Sequence, residues 1–434
     1  MTTDPVLFSD LLIETKDGEW GEGQETPGHV LCDVIRGTDF ADLNSPEVQL
    51  PQRWIPEHLV DRKALMAGDV ILETAGGTAK QSTGRTALIT PAFMASRQGR
   101  PVLCSSFARH LRVDRNKVNP AYLYYLLQGL YASGYMGVFN LQHTGVARFQ
   151  FTAFRTKTRL SLHSPKEQEH IAAILTAYDD LIANNQRRIA LLESMAEEIY
   201  REWFVRMRFP GHESVPLNQG LPQGWTQKSV SEVADINHRS IRKGSDVDLI
   251  RYIDISTVET NNLGEPVEMQ LRDAPGRARR LVSHGDVLWS SVRPGNKAYC
   301  VVIDPPQNLV ASTGFAVISP KPGTPYTYLH KAVTTQNFTD QMVTVAKGSA
   351  YPATSFDDFA RAKIIWPEKE LLDEFQKRVS PMYENAAAMR KANGRLRQMR
   401  DALLPRLISG KLRVDHLDIQ LPPSMRAETA EAAP

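Results

Sequence analysis

Two long segments of the chain carry apolar residues at alternating steps of four and three. In the first, about 167–206, the repeated positions are Ile171, Leu175, Tyr178, Ile182, Asn185, Ile189, Leu192, Ala196, Ile199 and Trp203. In the second, about 368–408, they are Phe375, Val379, Met382, Ala386, Met389, Asn393, Leu396, Arg400, Leu403 and Leu407. A period of about 3.5 residues, sustained over several heptads, is typical of a coiled-coil seam. The pattern predicts two long helices that pack against each other.

The two seams fit an antiparallel register. With Ile171 opposite Leu407, apolar positions face apolar positions, and Asn185 faces Asn393. A shift by one heptad would bury each asparagine without its partner, at a cost of about 1–3 kcal/mol. We therefore predict contact between the two asparagines, although two independent helices, each packed on its own domain, stay possible. Pro381 lies inside the second helix, where it is expected to kink the helix or interrupt its hydrogen bonding.

The rest of the chain alternates short apolar runs with turn residues. Runs such as DVILET, TALIT, DVLWSS and AYCVVI are separated by Gly, Pro, Asn and Ser, which predicts short strands and turns. NPAYLYYLLQGLYASG and PYTYLHKAVTTQNF have a helical pattern.

One sequence pattern occurs twice. GDVILETAGG from Gly68 corresponds to GDVLWSSVRPG from Gly285, SSFARHLRV from Ser105 to STGFAVIS from Ser312, and FTAF at 151–154 to FDDF at 356–359. The order is the same in both copies, and the offset slides only between about 217 and about 202 residues. This period is too long for a solenoid unit and indicates a duplicated domain.

These patterns predict an α+β protein with an internal pseudo-two-fold repeat, in which two long antiparallel coiled-coil helices join two similar mixed domains. We place the elements, in chain order, as a first domain at 1–163, a first helix at 164–208, a second domain at 209–366, a second helix at 367–412 and a flexible tail at 413–434.

Composition and charge narrow the class of protein. The chain is 42% hydrophobic and 23% charged, as in ordinary globular proteins. It contains neither a long apolar run nor a signal-peptide pattern, so a cytoplasmic location is expected. The net charge is only +2, but residues 1–60 hold 12 acidic and 3 basic side chains, whereas residues 61–160 hold 14 basic and 4 acidic ones. The basic region suggests a polyanion site, with a solvated face as the alternative.

Motifs of several enzyme classes are missing, namely Walker A, GxGxxG after a strand, HExxH and GxSxG. DPPQ at 304–307 resembles the [N/D]PP[aromatic] loop of amino-methyltransferases, but Gln307 replaces the aromatic residue, so a turn is favoured. The GDV aspartates, Asp69 and Asp286, also fit turns better than catalysis. The cysteines lack metal-ligand spacing and are expected to be reduced thiols: Cys32, Cys104 and Cys300. We expect neither a catalytic residue nor a metal site.

Two pairs of equivalent loops combine glycine with cations. AGGTAKQSTGRT (75–86) pairs with VRPGNKAY (292–299), and QHTGVARFQ (142–150) with VAKGSAYPATS (345–355). Glycine lets backbone N–H groups approach phosphates, and Arg or Lys adds charge or a bidentate contact to guanine. The DNA-binding candidates are Lys80, Arg85, His143, Arg148, Arg293, Lys297, Lys347 and Tyr351, with Arg109, Arg239, Arg242 and Lys243 as outlying phosphate contacts. Each could be an ordinary surface residue, but the recurrence in both copies favours a binding role.

The predicted helix length suits a split DNA site. A helix of about 38 residues is roughly 57 Å long. Two half-sites one turn apart, about 34–36 Å centre to centre, lie on one face of a duplex. Helices of this length are therefore long enough for the two domains to bind two half-sites on one face of the duplex.

The same motifs occur in the same order in both copies, and this order is specific to one protein family. The GDV strand, the TG or KGS loop, the helix starts SPKEQEHIAAIL and WPEKELLDEF, the linker sequences EIYREWFVRMRFPGHE and LPQGW, and LLPRLISGKL together resemble the specificity subunit of type I restriction-modification enzymes. The resemblance extends to about Leu412. It departs from the family pattern at Leu371, where Gln is expected, and at Pro381.

The resemblance implies a non-catalytic DNA-recognition subunit that takes part in phage defence. Each domain would be a target-recognition domain for half of an asymmetric bipartite site, with the helices as the ruler. Two methylation subunits would dock on the helices, with two restriction subunits in the full complex; S-adenosylmethionine, ATP and Mg would act in those partners. Docking candidates are Ile174, Leu181, Leu191 and Tyr200, unless they pack on the protein's own domains.

Two other classes stay open at this stage. A stand-alone bipartite DNA-binding regulator would be active without partners, so copurification of a methyltransferase subunit would argue against it. A methyltransferase with a degenerate DPPQ loop would transfer methyl groups as an isolated chain.

Overall fold

The computed structural model describes residues 4–41, 43, 48–77, 81–143, 146–218, 220–241, 245 and 247–426, with the backbone only at 142, 143 and 146. The chain forms two compact units. Unit 1 comprises Met1–Arg187 and Lys391–Pro434, and unit 2 comprises Arg188–Arg390. Each unit therefore contains part of both long helices. The sequence-based boundaries, in contrast, treated the two helices as segments separate from the two domains. In the part of the chain that the structure describes, none of the helices is long and apolar enough to cross a membrane.

Unit 1 contains short strands and helices in mixed order. Its strands are β1 (Val6–Leu7), β2 (Leu12–Asp17), β3 (His29–Ile35), β4 (Gln52–Pro56), β5 (Val70–Glu73), β6 (Ala75–Gly77), β7 (Thr86–Leu88), β8 (Val102–Cys104), β9 (Ala108–Val113), β10 (Asn140–His143), β11 (Val146–Phe149) and β12 (Arg159–Leu160). Its helices are α1 (Glu57–Lys63), α2 (Pro91–Ser96), α3 (Pro120–Ala132), α4 (Phe151–Lys157) and the start of α5 (Pro165–Tyr200). The sheet orders are β2-β9-β5-β7, β4-β3-β8, β10-β11-β6 and β1-β12.

Unit 2 repeats this composition. Its strands are β13 (Leu217–Asn218), β14 (Leu221–Pro222), β15 (Thr226–Ser229), β16 (Ala234–Ile236), β17 (Leu249–Ile253), β18 (Val258–Glu259), β19 (Asn262–Leu263), β20 (Val267–Gln270), β21 (Ala278–Leu281), β22 (Val287–Ser290), β23 (Tyr299–Val301), β24 (Leu309–Ser312), β25 (Phe315–Pro320) and β26 (Lys363–Trp366). Its helices are α6 (Val230–Val233), α7 (Tyr326–Val333), α8 (Gln336–Val345), α9 (Phe356–Arg361) and part of α10 (Lys369–Ile408). The sheet orders are β16-β25-β22-β23, β20-β17-β24-β21, β15-β26, β13-β14 and β18-β19.

The strand order confirms the predicted α+β duplication. The sheet β2-β9-β5-β7 of unit 1 has the same connectivity as β16-β25-β22-β23 of unit 2. The second sheet of each unit holds a parallel pair, β3 with β8 and β17 with β24. The small sheets β1-β12 and β15-β26 also correspond, and each precedes a long helix.

The GDV strands form the centre of each copy because both of their faces are buried. In β5, Val70 and Leu72 enter one hydrophobic core and Ile71 enters another. In β22, Val287 and Trp289 enter one core, and Leu288 the other. Successive side chains of a strand point to opposite faces, so a continuous apolar run fits a strand buried on both sides.

The GDV aspartates confirm the turn interpretation. Asp69 Oδ2 accepts the backbone N–H of Met66 at 2.9 Å, and Asp286 Oδ2 accepts that of Ser283 at 2.7 Å. Each also binds an arginine: Arg112 Nη2 is 2.9 Å from Asp69, and Arg239 Nη2 is 2.7 Å from Asp286. These carboxylates close the turns that begin the central strands.

The long helices α5 and α10 run antiparallel within each unit. A capping box starts α5, since the Ser164 N–H donates to Glu167 Oε2 at 3.0 Å. In unit 1, Asn185 Nδ2 donates a buried hydrogen bond of 2.8 Å to Asn393 Oδ1, the contact that the predicted register requires. In unit 2, the rings of Trp203 and Phe375 lie 5.9 Å apart, again as the register sets them.

Pro381 does not end or divide the second helix. The helix α10 continues from Lys369 through Pro381 to Ile408, and the kink or the lost hydrogen bond expected at the proline stays a prediction. The Asn385 Nδ2 group donates to the Pro381 carbonyl at 2.8 Å. The Asn385 side chain thus binds the backbone one helical turn before it, at the proline itself.

The flexible tail expected at 413–434 is wrong for residues 413–426. Val414 and Met425 are buried in the main core of unit 1. The Val414 carbonyl lies 3.0 Å from His170 Nδ1, and the Ser424 hydroxyl donates to Asp180 at 2.8 Å. The segment folds onto α5 because its few apolar side chains find the core of unit 1; residues 427–434 lie outside the described part.

Candidate nucleic-acid interface

In unit 1, the two loops chosen from the sequence come together in one sheet. Strand β11 pairs with β6, and Arg148 lies opposite Ala75 in the register. The Arg148 side chain is exposed, and within the described residues it has no ion pair. Lys80 lies outside the described residues, as does the His143 side chain. The sheet β10-β11-β6 thus presents Arg148 at the edge of the glycine-rich loop.

Arg85 has a structural partner. Its Nε and Nη2 atoms donate to the two Glu73 oxygens at 2.9 and 2.5 Å, and the Glu73 side chain is only 3% exposed. The hydrogen bond that Arg85 donates to Glu73 raises the pKa of Arg85. Arg85 therefore neutralises a buried carboxylate, and its guanidinium is committed to the fold of unit 1.

Arg109 also has partners within unit 1, which occupy part of its guanidinium group. Its Nη2 donates to Asp17 Oδ1 at 2.5 Å, and its Nη1 to the Thr15 hydroxyl at 3.3 Å. The guanidinium carbon lies 4.5 Å from the ring centre of Phe151. A planar cation stacked in this way is held in one orientation.

In unit 2, the loops 292–299 and 345–355 are also joined. Ala353 forms bridges with both Val292 and Lys347, and the Arg293 N–H donates to the Pro352 carbonyl at 2.7 Å. The Arg293 guanidinium stacks 4.9 Å above the Tyr351 ring. Tyr351 is 71% exposed, and Lys347 is exposed beside it. This arrangement presents an aromatic ring and two cations on one surface.

The backbone of the 292–299 loop is strained. Arg293 and Lys297 have φ angles of 49° and 53°, in the left-handed region that costs a residue with a Cβ about 1–2 kcal/mol. Lys297 Nζ donates to Gln336 Oε1 at 2.7 Å. Backbone strain of this kind concentrates at functional sites, where the surrounding contacts hold it in place.

The outlying candidates differ from the loop residues. Arg239 is bound to the buried Asp286, so it supports a turn. Burial raises the pKa of Asp286. Arg242 and Lys243 lie outside the described residues.

Phe107 is a surface aromatic that the sequence patterns did not identify. It is 61% exposed, and its carbonyl accepts the N–H groups of Thr74 and Ala75 at 2.8 and 3.1 Å. It therefore flanks β6 in unit 1, much as Tyr351 flanks its loop in unit 2. An exposed aromatic beside a basic loop can stack on a base or sugar; the only signal in the sequence was an apolar residue between turn-forming serines and β9.

The four docking candidates divide into two classes. Leu181 and Leu191 are 46% and 63% exposed on α5. Ile174 packs against the core of unit 1, and Tyr200 is buried in the core of unit 2. For Ile174 and Tyr200 the docking role is therefore wrong, because each packs on its own unit.

The described residues hold no cluster of three or more His, Cys, Asp or Glu side chains suited to a metal ion. All three cysteines are free and buried. Burial raises the pKa of the Cys32 thiol to about 11 and that of Cys104 and of Cys300 to about 12, so these thiols stay protonated.

Comparisons with known proteins agree with this architecture. No family model matches the chain. The chain is 26% identical over 324 residues to the type I restriction enzyme MjaIX specificity subunit of Methanocaldococcus jannaschii, covering 70% of this chain and 72% of that protein. It is also 26% identical over 187 residues to the type I restriction enzyme HindI specificity subunit of Haemophilus influenzae, covering 41% and 39%.

A solved structure shares the fold. The S subunit of a type I restriction-modification system from M. genitalium superimposes with a TM-score of 0.56 at 14% identity, covering 94% of this chain and 96% of that one. The resemblance seen in the sequence is therefore confirmed: this chain is similar, in sequence and in fold, to the specificity subunits of type I restriction enzymes.

Proposed function

We propose that the chain is the non-catalytic DNA-recognition subunit of a type I restriction-modification complex. Each unit binds one half of an asymmetric bipartite DNA site. The observation that carries the proposal is the repeated loop pair: in both units, two loops distant in sequence meet beside the central GDV strand.

The two loop surfaces have the chemistry of DNA contacts. Unit 1 offers Arg148, which lies opposite Ala75 of β6, and the exposed Phe107; unit 2 offers Arg293, Lys347 and Tyr351. Guanidinium groups recognise guanine or phosphate with paired N–H donors, and exposed rings stack on bases. Because the side chains differ between the units, the two half-sites differ in sequence.

The paired helices set the number of unread base pairs between the half-sites. At 1.5 Å per residue, α5 with 36 residues and α10 with 40 residues are about 54 and 60 Å long. The Asn185–Asn393 contact fixes their register, because a polar seam pair disfavours shifted alternatives. Adding or removing helical turns should therefore change the spacer in the DNA site.

Methylation and restriction belong to partner subunits in this proposal. Two methylation subunits would supply adenine methylation with S-adenosylmethionine, and two restriction subunits would use ATP and Mg. Leu181 and Leu191 on α5 are exposed apolar residues available for docking.

The direct test is to map modified adenines in DNA from cells that contain the chain with its partner subunits, and from matched cells lacking only this chain. We expect a split motif that is methylated only when the chain is present. An unchanged modification pattern would contradict the proposal, and methyl transfer by the purified chain alone would contradict its non-catalytic role.

A further inference from the structure

Two basic segments of unit 2, 238–241 and 276–280, lie side by side. The Ile241 N–H donates to the Arg279 carbonyl at 2.8 Å, and Ser240 forms a bridge with Arg280. The sequence places them almost 40 residues apart, as HRSI and GRARR, so only the fold brings their charges together.

The charges of these segments are unequally neutralised. Arg239 is paired with Asp286, and Arg277 donates to Asp254 at 2.5 Å. Within the described residues, Arg280 has no carboxylate within ion-pair distance. The patch therefore keeps a positive charge at Arg280.

Arg280 is held in place but has an unused donor. Its guanidinium carbon lies 5.2 Å from the ring centre of Phe356, the first residue of α9. Its Nε atom is buried without a hydrogen-bond partner in the described structure. A buried donor without an acceptor is destabilising, because it has lost its bond to water.

A second unused donor lies in the same cavity. The Asn237 Oδ1 accepts the Val317 N–H at 2.9 Å, which fixes the orientation of the amide, and its Nδ2 is buried without a partner among the described atoms. Asn237, Arg280 and Phe356 line one open cavity of about 400 Å³. We call it the Arg280 cavity.

Two carboxylates, Asp235 and Asp357, also line the Arg280 cavity. Asp235 lies 3.7 Å from Lys321 Nζ, which offsets its charge. The carboxylates disfavour a doubly charged anion more than a singly charged one. A singly charged anion beside Arg280 therefore meets less repulsion from this lining than a doubly charged one.

Unit 1 has a similar arrangement that is already neutralised. Phe151 is the counterpart of Phe356, and Arg109 stacks on it at 4.5 Å with its Nε also buried and unpartnered. The Asp17 carboxylate, however, binds the Arg109 guanidinium. In unit 2 the corresponding strand β16 ends at Ile236, the counterpart of Thr15, so its pairing does not reach a counterpart of Asp17.

The two stacked arginines come from different strands. Arg109 lies opposite Leu72 in unit 1, and the matching residue opposite Trp289 in unit 2 is Ala316. Arg280 reaches the equivalent phenylalanine from β21 instead. A guanidinium therefore lies over this helix start in both units, although the duplication did not supply it at the same position.

We propose that the Arg280 cavity binds a phosphodiester group of the DNA backbone, with Arg280 and Asn237 as hydrogen-bond donors and Phe356 as the support of the guanidinium. A phosphodiester carries one negative charge, and its two free oxygens match the paired N–H donors of arginine. The inference rests on the proposed DNA-binding function. It adds a sequence-independent anchor beside the half-site of unit 2, outside the loops chosen from the sequence.

The test measures binding of the full-length chain to a random-sequence DNA duplex over a range of salt concentrations. Arg280→Gln should weaken binding about tenfold at low salt, as expected for a lost bond to a charged group. The slope of log K against log salt should fall by about 0.9, because one phosphate is no longer neutralised. Arg280→Lys should keep most of the salt slope, since it keeps the charge.

Arg272→Gln is the matched control. Arg272 is in the same unit, its side chain is 83% exposed, and its nearest carboxylate is that of its neighbour Asp273 at 3.8 Å. It carries the same charge change and should leave both affinity and slope unchanged. The melting temperature of Arg280→Gln should equal or exceed that of the unchanged chain, because the variant removes an unpaired buried donor; a lower value would assign Arg280 a structural role.

A second arm uses inorganic phosphate, compared with chloride at equal ionic strength. If phosphate raised the melting temperature of the unchanged chain but not of Arg280→Gln, while DNA binding was equal for both, the cavity would serve a free anion and the DNA assignment would be overturned. If the unchanged chain bound DNA and Arg280→Gln bound it equally with the same slope, the cavity inference alone would fail. If the unchanged chain bound no DNA, the proposed function itself would fail.

Discussion

The two units share a strand order but use their loop cations differently. In unit 1, Arg85 is held by the buried Glu73, so Arg148 is the described loop cation without a carboxylate partner. In unit 2, Arg293 lies on the exposed ring of Tyr351, with Lys347 nearby. Equivalent positions in a duplicated fold therefore do not have equivalent roles, and each unit must be read from its own contacts.

Under the proposed function, this difference would let one fold recognise two unrelated sequences. The GDV strands correspond in both units, and each GDV aspartate is bound by an arginine, Arg112 of β9 in unit 1 and Arg239 after β16 in unit 2. The loops that leave these strands are free to differ, because they lie at the surface. We therefore expect stability and DNA specificity to depend on different residues.

The strongest test of the comparison is Arg85→Ala against Arg293→Ala. Removing Arg85 leaves the buried Glu73 carboxylate unpaired, and we expect the free energy of unfolding to fall by about 3–5 kcal/mol. Removing Arg293 loses an exposed cation–π contact worth about 0.5–1 kcal/mol. Urea denaturation of both variants gives the two values, and similar losses would refute the distinction.

The helix contacts offer a second comparison of the units. Asn185→Ala leaves the buried Asn393 Oδ1 without its donor, although Asn393 Nδ2 keeps its bond to the Ile182 carbonyl. We expect a loss of about 1–3 kcal/mol in the free energy of unfolding. Glu193→Gln removes a partly exposed ion pair with Arg390 in unit 2, worth less than about 1 kcal/mol.

The double variant Asn185→Leu/Asn393→Leu is the control for that experiment. Replacing both asparagines by apolar residues should restore most of the stability, since no polar group is then left alone. It should also loosen the register. A double variant as unstable as Asn185→Ala would mean that the loss arises from packing.

The last prediction is a pH dependence to which His330 of unit 2 contributes. Burial lowers the pKa of His330 well below its ordinary value, and its Nδ1 lies 2.8 Å from the Tyr383 hydroxyl. The unfolded chain binds a proton near pH 6.5 that the folded chain does not. Stability is therefore fully present above that pH and falls as the pH is lowered, by up to about 1.4 kcal/mol per pH unit for this group.

Denaturation at pH 7 and pH 5 checks this expectation. His330→Gln should be less sensitive to acid than the unchanged chain, because glutamine does not titrate. An unaltered dependence would show that other groups, such as His110 and His163, whose pKa values are also lowered by burial, account for the acid sensitivity.

The features predicted correctly from the sequence are those that leave a periodic or repeated pattern in it. The seam positions predicted α5 and α10 and the Asn185–Asn393 pair, and the repeated motifs predicted the duplication. It did not predict that Glu73 would be buried against Arg85, because burial depends on packing from distant elements. The same holds for the 413–426 segment, whose few apolar residues look like a tail until the core of unit 1 is formed.

The central claim is that each unit reads its own half of a bipartite site. Its most direct measurement is the map of modified adenines in cells carrying Arg148→Ala or Arg293→Ala with the same partner subunits. The account predicts that Arg148→Ala relaxes the sequence preference in one half of the motif only and Arg293→Ala in the other half only. If either variant altered both halves equally, the two-reader account would be contradicted.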